Sequence, residues 1–491
     1  MDFQVSKFFM DLIDTSPLLT YMIELAKHGM ENGPSTRISI PARLQRLRTH
    51  AEAWKTLNFE SVEELSMSAM DDWELTDGVL ARGYGPHMLQ FNELPGHSRG
   101  IPAAAWVLRF EFPVRNFRMD PSQDLLILIE FPESNGAAPP APCKIHIRTL
   151  SEGTPHPLAR NPEIVILLQY YYSEDCISHL LICGDKFGYM SEYERPEEEP
   201  GDDIDLFAYN WRTSESLLHM YAVNQPLETF AFLSDQYILL VVAEGSRPRL
   251  EVYDLSTTSS ARTEWTGQDY LCAFTYAPIS TNDSINIAIQ SAPSPSWSSS
   301  PSPSSGSNVP FHSARSTRVL AVSYEYMNPS PQAPPQEECH GVVNLVPYVH
   351  LLDMLPTRAE GAGTTWLWDA WGAARTFVLA EMTPDMWSAC VHGSRYVHLA
   401  VVSGQDRVVA EILDFRAMAA AARSFRISPS PSSEDVPHAR PDDGWMYAAY
   451  GVTVSTTKED DNDRCVMISE DSLVIMEEKE DGGRTFRVCS L

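Results

Sequence analysis

The sequence predicts a mainly β fold: a β-propeller of six or seven four-stranded blades, preceded by a short α-helical segment. The first observation is a group of turn formers, Asp120, Pro121 and Ser122, that leads into the continuously apolar residues 125–129. Such a run is too short for a buried helix and is typical of an inner strand that is covered on both faces. We therefore expect stacked sheets.

The second observation is that this turn-and-strand phrase returns. Further copies begin at Ser234, Ser394 and Ser469, and they lead into the apolar residues 238–242, 397–402 and 473–476. A second short strand follows each of the four phrases, at residues 144–150, 249–255, 409–415 and 485–491. Self-similar strand units that recur at several tens of residues predict a β-propeller, and we favour seven blades.

The chain divides into two parts. Residues 1–60 have helical periodicity, with Val5, Phe8, Phe9, Leu12 and Ile13 on one apolar face of the first helix. Residues 71–491 read as short strands and form the expected propeller. Since a propeller must join its first and last blades, we expect residues 73–94 to complete the blade that ends at Leu491.

Three long connections interrupt the strands. They are rich in Ser and Pro or otherwise polar, and they cover residues 291–316, 328–340 and 428–443. Such compositions cannot bury enough apolar surface to fold alone, so we expect disordered insertions there.

Composition limits the partners and the compartment. The 491 residues carry a net charge of −30, which argues against nucleic acid because phosphate contacts need clustered Lys and Arg. Neither a signal-peptide pattern at the start nor a long apolar run is present, so we expect an intracellular protein of the cytoplasm or nucleus that does not contact membranes. The eight cysteines form no CxxC pair and fit reduced, buried thiols.

The sequence does not favour catalysis. It contains no GxSxG, GxGxxG or P-loop motif. Cys176, His179 and Cys183 have the spacing of a metal cluster, but positions 176 and 179 face opposite sides of a strand and no fourth ligand is near. We therefore expect no enzyme activity, metal or cofactor; a propeller enzyme of the glycosidase or lyase type is the less favoured alternative.

Two groups of side chains are candidate partner-binding residues. Trp366, Trp368 and Trp371 lie beside Arg375, and tryptophan with arginine is the composition of interface hot spots. The alternative is that these tryptophans pack between blades. The second group is Phe8, Phe9 and Leu12, which either form an exposed helix face or pack against the second helix or the propeller.

Three stretches together resemble a known family. Residues 10–30 (MDLIDTSPLLTYMIELAKHGM), the helix that carries Trp54, and residues 117–130 are similar to a large group of basidiomycete fungal F-box proteins with a WD-repeat-like β-rich region. The counterparts are Ser16, Pro17, Leu19, Tyr21, Ile23, Glu24, Leu25, Gly29, Arg43, Leu44, Leu47, Trp54 and residues 120–126, with residues 366–377 as a later signature.

The resemblance implies a function. It implies an F-box substrate receptor whose propeller binds a target protein for a cullin-type ubiquitin ligase, through a Skp-type adaptor. The Leu-Pro phrase that opens an F-box is missing, so we expect the F-box to be either lost or encoded upstream of Met1. The alternative is a propeller scaffold that is unconnected to ubiquitin.

Overall fold

The protein is a seven-bladed β-propeller. The computed structural model describes residues 12–13, 15–34, 37–68, 72–131, 141–168, 178–194, 202–223, 227–244, 247–278, 285–296, 309–327, 339–356, 363–382, 389–401, 408–416, 448–455, 464–479 and 481–491. The expected fold class is thus confirmed, and of the six or seven expected blades seven are present.

Each blade is a meander of four antiparallel strands. Blade 1 comprises β3 (Trp73–Thr76), β4 (Val79–Gly83), β5 (Met88–Glu93) and β6 (Ala104–Arg109); blade 2 comprises β7 (Asn116–Asp120), β8 (Leu125–Glu130), β9 (Ala141–Thr149) and β10 (Glu163–Leu168); blade 3 comprises β11 (Ser178–Cys183), β12 (Lys186–Glu194), β13 (Asp202–Asn210) and β14 (Glu215–Val223). Blade 4 comprises β15 (Leu227–Phe232), β16 (Tyr237–Glu244), β17 (Arg247–Asp254) and β19 (Cys272–Thr275); blade 5 comprises β20 (Ile285–Gln290), β22 (Val319–Met327), β23 (Cys339–Pro347) and β25 (Phe377–Met382). Blade 6 comprises β26 (Val391–His392), β27 (Arg395–Val401), β28 (Val408–Asp414) and β29 (Ala448–Ser455); blade 7 comprises β30 (Arg464–Ile468), β31 (Ser472–Glu478), β32 (Arg484–Ser490) and β2 (Ser61–Met67).

The four repeated phrases occupy one structural position. Each forms the turn between the first and second strands of its blade, which we call the first turn; the four are in blades 2, 4, 6 and 7. In blade 2, Asp120 accepts hydrogen bonds from the backbone N–H and the hydroxyl of Ser122, which shapes this turn. Because strands alternate in direction, all first turns lie on one face of the propeller, which we call the first-turn face.

The ring is closed by a strand from the N-terminal side. β2 pairs antiparallel with β32, with Ser61 opposite Ser490 and Met67 opposite Arg484. The expectation that residues 73–94 would complete the last blade is therefore wrong, because β3, β4 and β5 belong to blade 1. The propeller also includes residues 61–67, which precede the expected boundary at residue 71.

Apolar side chains fill the spaces between neighbouring blades. One buried cluster, for example, joins Leu126 and Leu128 of blade 2 to Phe91 of blade 1. Another joins Val474 and Phe486 of blade 7 to residues of blade 1, which completes the ring. The apolar second strands are thus buried on both faces, as their sequences predict.

Two blades carry a fifth strand. β18 (Thr263–Glu264) pairs in parallel with β14 at the outer edge of blade 3. β24 (Thr364–Trp366) pairs in parallel with β19 at the outer edge of blade 4. Each fifth strand comes from the connection between the third and fourth strands of the next blade along the chain.

Helices form the N-terminal part and short insertions. Helix α1 (Pro17–Lys27) begins with Ser16 as its N-cap and a first-turn proline, and α2 (Ile40–Thr56) ends at Leu57 in the left-handed conformation. The helices α3 (Tyr348–Asp353) and α4 (Trp368–Trp371) lie in the connection between β23 and β25. Most of the predicted first helix lies outside the described residues.

The connection in blade 5 that was expected to be disordered is ordered at both ends. Within residues 291–316, the structure describes 291–296 and 309–316. β21 (Phe311–Ser313) pairs with β1 (Met30–Asn32), and the Phe311 side chain is fully buried. The disorder prediction is wrong for these parts, because the Ser- and Pro-rich composition obscured one buried aromatic residue. Residues 339–340 likewise belong to β23, whereas 297–308, 328–338 and 428–443 lie outside the described residues.

Candidate interaction surfaces

The N-terminal helices are packed on the first-turn face through Trp54. Its indole N–H donates to the backbone carbonyl of Glu470 over 2.9 Å, and its ring is 3% exposed. The guanidinium of Arg395 lies 4.5 Å from the centre of the Trp54 ring. Trp54 therefore connects α2 to the first turns of blades 6 and 7.

The Glu470 carboxylate is the centre of this contact. It accepts hydrogen bonds from the Ser313 backbone N–H (2.9 Å) and the Ser313 hydroxyl (2.6 Å). Its oxygens also lie 3.4 Å from Nε2 of His392 and 3.5 Å from Nη1 of Arg395. Burial alone would raise the pKa of Glu470, but the close approach of His392, His50 and the Arg395 charge holds this pKa well below its usual range.

A second buried ion pair lies beside it. Arg99 lies in the connection between β5 and β6, and its guanidinium donates to both carboxylate oxygens of Asp471. The distance between Nε and Oδ1 is 2.8 Å. The same guanidinium donates to the carbonyl of Phe311 over 3.1 Å. His50 of α2 contacts the Ser98 hydroxyl over 2.9 Å. Blades 1, 5 and 7 and helix α2 thus meet in one polar cluster.

The first helix is attached to the insertion of blade 5. The Tyr21 hydroxyl donates to the carbonyl of Pro310 over 3.0 Å, and the Gly33 N–H donates to the same carbonyl over 2.9 Å. Arg43 donates to the side chain of Asn32 and to the carbonyl of Gly33. Residues 17–56 are therefore held by buried polar contacts as well as by apolar packing.

A short segment crosses the propeller axis on the first-turn face. Gly393 of blade 6 donates its N–H to the carbonyl of Ala292 over 2.7 Å, and the Ser294 hydroxyl donates to the carbonyl of Ile182 in blade 3 over 3.0 Å. Arg318 of blade 5 donates to the carbonyl of Ser294 over 2.6 Å. Residues 292–294 therefore link blades 3, 5 and 6 on this face.

The predicted aromatic cluster packs against blade 4. Trp371 is 1% exposed and donates its indole N–H to the carbonyl of Thr275 over 3.0 Å. Trp368 stacks on Tyr276 with 5.3 Å between ring centres, and Trp366 belongs to the fifth strand β24. The alternative that these tryptophans pack between elements therefore holds for Trp371. The sequence does not show this, because Tyr276 and Trp371 meet only in the fold.

Arg375 has an internal partner. Its Nη1 donates to Nδ1 of His350 over 3.0 Å, and Nε2 of His350 lies 2.6 Å from the carbonyl oxygen of Trp371. Burial lowers the pKa of His350, which agrees with a neutral ring that accepts at one nitrogen and donates at the other. The exposed apolar residue of this region is Leu367, which is 65% exposed and was not predicted.

The other predicted group is only partly described. Phe8 and Phe9 lie outside the described residues. Leu12 is 44% exposed. We group it with further exposed apolar side chains on helix α1, which were not among the predicted partner-binding residues: Leu18, Met22 and Ile23. These four residues form what we call the helix patch.

A groove lies at the outer edge of blade 1. It has a volume of about 490 Å³ and is lined by Tyr84, Met88, Gln90, Val107, Leu108, Arg109 and Glu152. Tyr84 and Val107 are each 48% exposed. Sequence reasoning missed this groove, since Glu152 comes from blade 2 and the other residues come from three segments of blade 1.

Comparisons with known proteins give weak likenesses. No protein-family model matches the chain, and no curated protein matches it. Among solved structures, Sqt1 from Chaetomium thermophilum is 12% identical with a TM-score of 0.35, over 84% of this chain and 80% of that one. Kuenenia stuttgartiensis hydrazine synthase is 10% identical with a TM-score of 0.32, over 72% and 79% of the two chains.

A mutant of the Synechocystis apocarotenoid oxygenase is 9% identical, with a TM-score of 0.30. The match covers 58% of this chain and only 59% of the oxygenase. The strand pairing of the chain itself defines its class: a seven-bladed β-propeller with N-terminal helices packed on its first-turn face. In the part of the chain that is described, no helix has both the length and the apolar character needed to cross a membrane.

Proposed function

We propose that the protein is a non-enzymatic interaction module that acts as an F-box-type substrate receptor of a cullin-type ubiquitin ligase, with the propeller binding the target. The observation that carries this proposal is the buried contact between helix α2 and the propeller through Trp54 and Glu470. A receptor must hold its target in a fixed position relative to the ligase, and a helical segment fixed to the propeller meets that need. The resemblance of the same helices to F-box proteins supplies the ligase connection.

Buried ionisable groups attach helix α2 to the propeller. Glu470 and Asp471, in the first turn of blade 7, face His50 of α2, and Asp471 also pairs with Arg99 of blade 1. These contacts and residues 292–294 cover part of the first-turn face. Target binding is therefore assigned to the opposite face and the outer rim.

The helix patch is the proposed contact for the adaptor. Leu18 and Met22 are 51% and 58% exposed and lie one helical turn apart. Exposed apolar side chains that form a patch mark interaction sites in soluble proteins. The propeller leaves this side of α1 uncovered among the described residues.

Capture of a Skp-type adaptor tests the proposal. The chain, and a version extended by any in-frame upstream exon, is co-expressed with the adaptor and purified. We expect the adaptor to be retained, and Met22→Asp to weaken retention at least about tenfold. Leu158→Asp is the matched control, because Leu158 is 57% exposed in blade 2 and should leave retention unchanged. Loss of the adaptor from both versions would overturn the receptor role and favour a scaffold that is unconnected to ubiquitin.

A further inference from the structure

The outer edge of blade 1 has free backbone groups. Phe110 donates its N–H to the carbonyl of His87 over 2.9 Å, so alternate residues of β6 bond to β5. Ala105, Val107 and Arg109 therefore direct their backbone N–H and C=O groups outward. No strand of the described residues pairs with this edge.

The groove is lined by side chains from both faces of the sheet at this edge. Met88, Gln90, Val107 and Arg109 share one face of the sheet, since Met88 is opposite Arg109 and Gln90 is opposite Val107. Leu108 and Glu152 line the groove on the other side of β6. An extended peptide beside β6 would therefore have side-chain space on both of its faces.

Blades 3 and 4 show what occupies this position elsewhere in the fold. The fifth strands β18 and β24 lie parallel to the outer strands of their blades, and both belong to a Thr-x-Trp sequence. In blade 3, Trp265 directly follows β18. Its backbone N–H donates to the carbonyl of Tyr221 over 2.8 Å, and the residue is 6% exposed. The outer edges of blades 3 and 4 thus accept a short parallel strand with an aromatic residue at its end.

Among the described residues, no such strand pairs with blade 1. In blades 3 and 4, the fifth strand comes from the connection between the third and fourth strands of the next blade. The equivalent segment for blade 1 is residues 150–162, the connection between β9 and β10. Thr149 donates its N–H to the carbonyl of Thr154, and His156 donates to the carbonyl of Ile147, so this connection folds back on blade 2. Only Glu152 reaches the groove.

The charges of the groove define the ligand further. Arg109 and Glu152 form no ion pair with any described residue. Trp265 and Trp366 both pack toward the next blade along the chain, and the face of β6 that packs toward blade 2 carries Leu108. Adjacent residues of a strand point to opposite faces, so the residue before such a tryptophan would lie on the face with Tyr84, Met88, Val107 and Arg109.

We propose that this groove binds an extended segment of a partner protein as a fifth, parallel strand of blade 1. The segment carries an acidic residue directly before a tryptophan: the tryptophan lies beside Leu108, and the acidic residue pairs with Arg109. The backbone of β6 supplies the strand hydrogen bonds. This inference goes beyond the receptor role, because it does not involve the helix patch or the adaptor.

A peptide derived from the chain's own fifth strand is the probe. It has the sequence of residues 261–267 (ARTEWTG) and carries a fluorescent label; binding to the full chain is measured by fluorescence polarisation. We expect saturable binding that Val107→Asp weakens at least about tenfold. Val165→Asp is the matched control, since Val165 is 51% exposed on the outer strand of blade 2.

Charge reversal tests which residue of the peptide faces Arg109. The peptide with Glu264→Lys (ARTKWTG) should bind about threefold more weakly than ARTEWTG, which is the effect of an exposed ion pair. Arg109→Glu should reverse this preference. Equal losses in Val107→Asp and Val165→Asp, absence of saturable binding, or an unchanged preference in Arg109→Glu would each overturn the proposal. None of these results would alter adaptor capture, so the two proposals fail independently.

Discussion

The indole N–H of Trp54 donates to the backbone carbonyl of Glu470, which is 416 residues away in the chain. Glu470 lies in the first turn of blade 7, and the outer strand of that blade, β2, begins a few residues after the helix that carries Trp54. Helix docking and ring closure therefore involve the same blade. Loss of one contact should weaken the other.

Trp54→Ala should destabilise the whole protein. The substitution leaves a cavity in the cluster that joins blades 5, 6 and 7, and it removes the hydrogen bond to Glu470. We expect a loss of about 3–5 kcal/mol in the free energy of unfolding, measured by urea denaturation. Lys55→Ala is the control, because the Lys55 side chain is 65% exposed and should change stability by less than about 0.5 kcal/mol. A small effect of Trp54→Ala would show that the helices do not support the ring.

Phe311→Ala tests whether the insertion of blade 5 holds the helices. Phe311 is fully buried among Tyr21, Leu25 and Leu47, and its strand pairs with β1. We expect proteases to cleave residues 17–56 faster in Phe311→Ala than in the wild type, since apolar packing and strand pairing both weaken. The rate of cleavage, followed by mass spectrometry, is the measurement. Phe110→Ala, at the rim of blade 1, serves as the control and should leave cleavage of the helices unchanged.

The repeat architecture was predictable because its signal is local. Turn formers followed by an apolar second strand occur in blades 2, 4, 6 and 7, and burial on both faces imposes that composition wherever the ring needs it. The closing strand β2 was missed for the opposite reason. It is an edge strand with mostly exposed side chains, so its sequence, SVEELSM, lacks an apolar face.

The interaction surfaces were less predictable, because they combine distant residues. Tryptophans at 366–371 suggested a hot spot, yet the fold brings Thr275 and Tyr276 to Trp371 and buries it. The groove joins Val107 to Glu152 of another blade. Composition near one position in the chain cannot show which blade will be its neighbour.

Trp371 and Leu367 lie four residues apart, but Trp371 is buried and Leu367 is exposed. Trp371→Ala should cost about 3–5 kcal/mol in the free energy of unfolding, because the buried ring packs on Phe274 and Tyr276. Leu367→Ala, at a side chain that is 65% exposed, should cost less than about 0.5 kcal/mol. Both values come from chemical denaturation. Similar costs for the two variants would contradict the burial of Trp371.

Glu228 should make the stability of the propeller depend on pH. It lies on β15, the innermost strand of blade 4. Burial, and secondarily the charge of Glu192, raise the pKa of Glu228 to about 7. In the unfolded chain the pKa of a glutamate is about 4.3. A group whose pKa is raised by folding stabilises the folded state fully below its unfolded pKa, and that contribution is lost as the pH rises through about 7.

Glu228→Gln should therefore stabilise the protein at alkaline pH, because glutamine keeps the neutral form without a proton to lose. We expect the variant to gain roughly 1–3 kcal/mol over the wild type at pH 8 and markedly less at pH 5. The measurement is the free energy of unfolding at both values of pH. Glu215→Gln, at an exposed position on β14, should reproduce the wild-type pH dependence. If Glu228→Gln changed stability equally at pH 5 and pH 8, the charge of Glu228 would not be the cause, and the raised pKa would be contradicted.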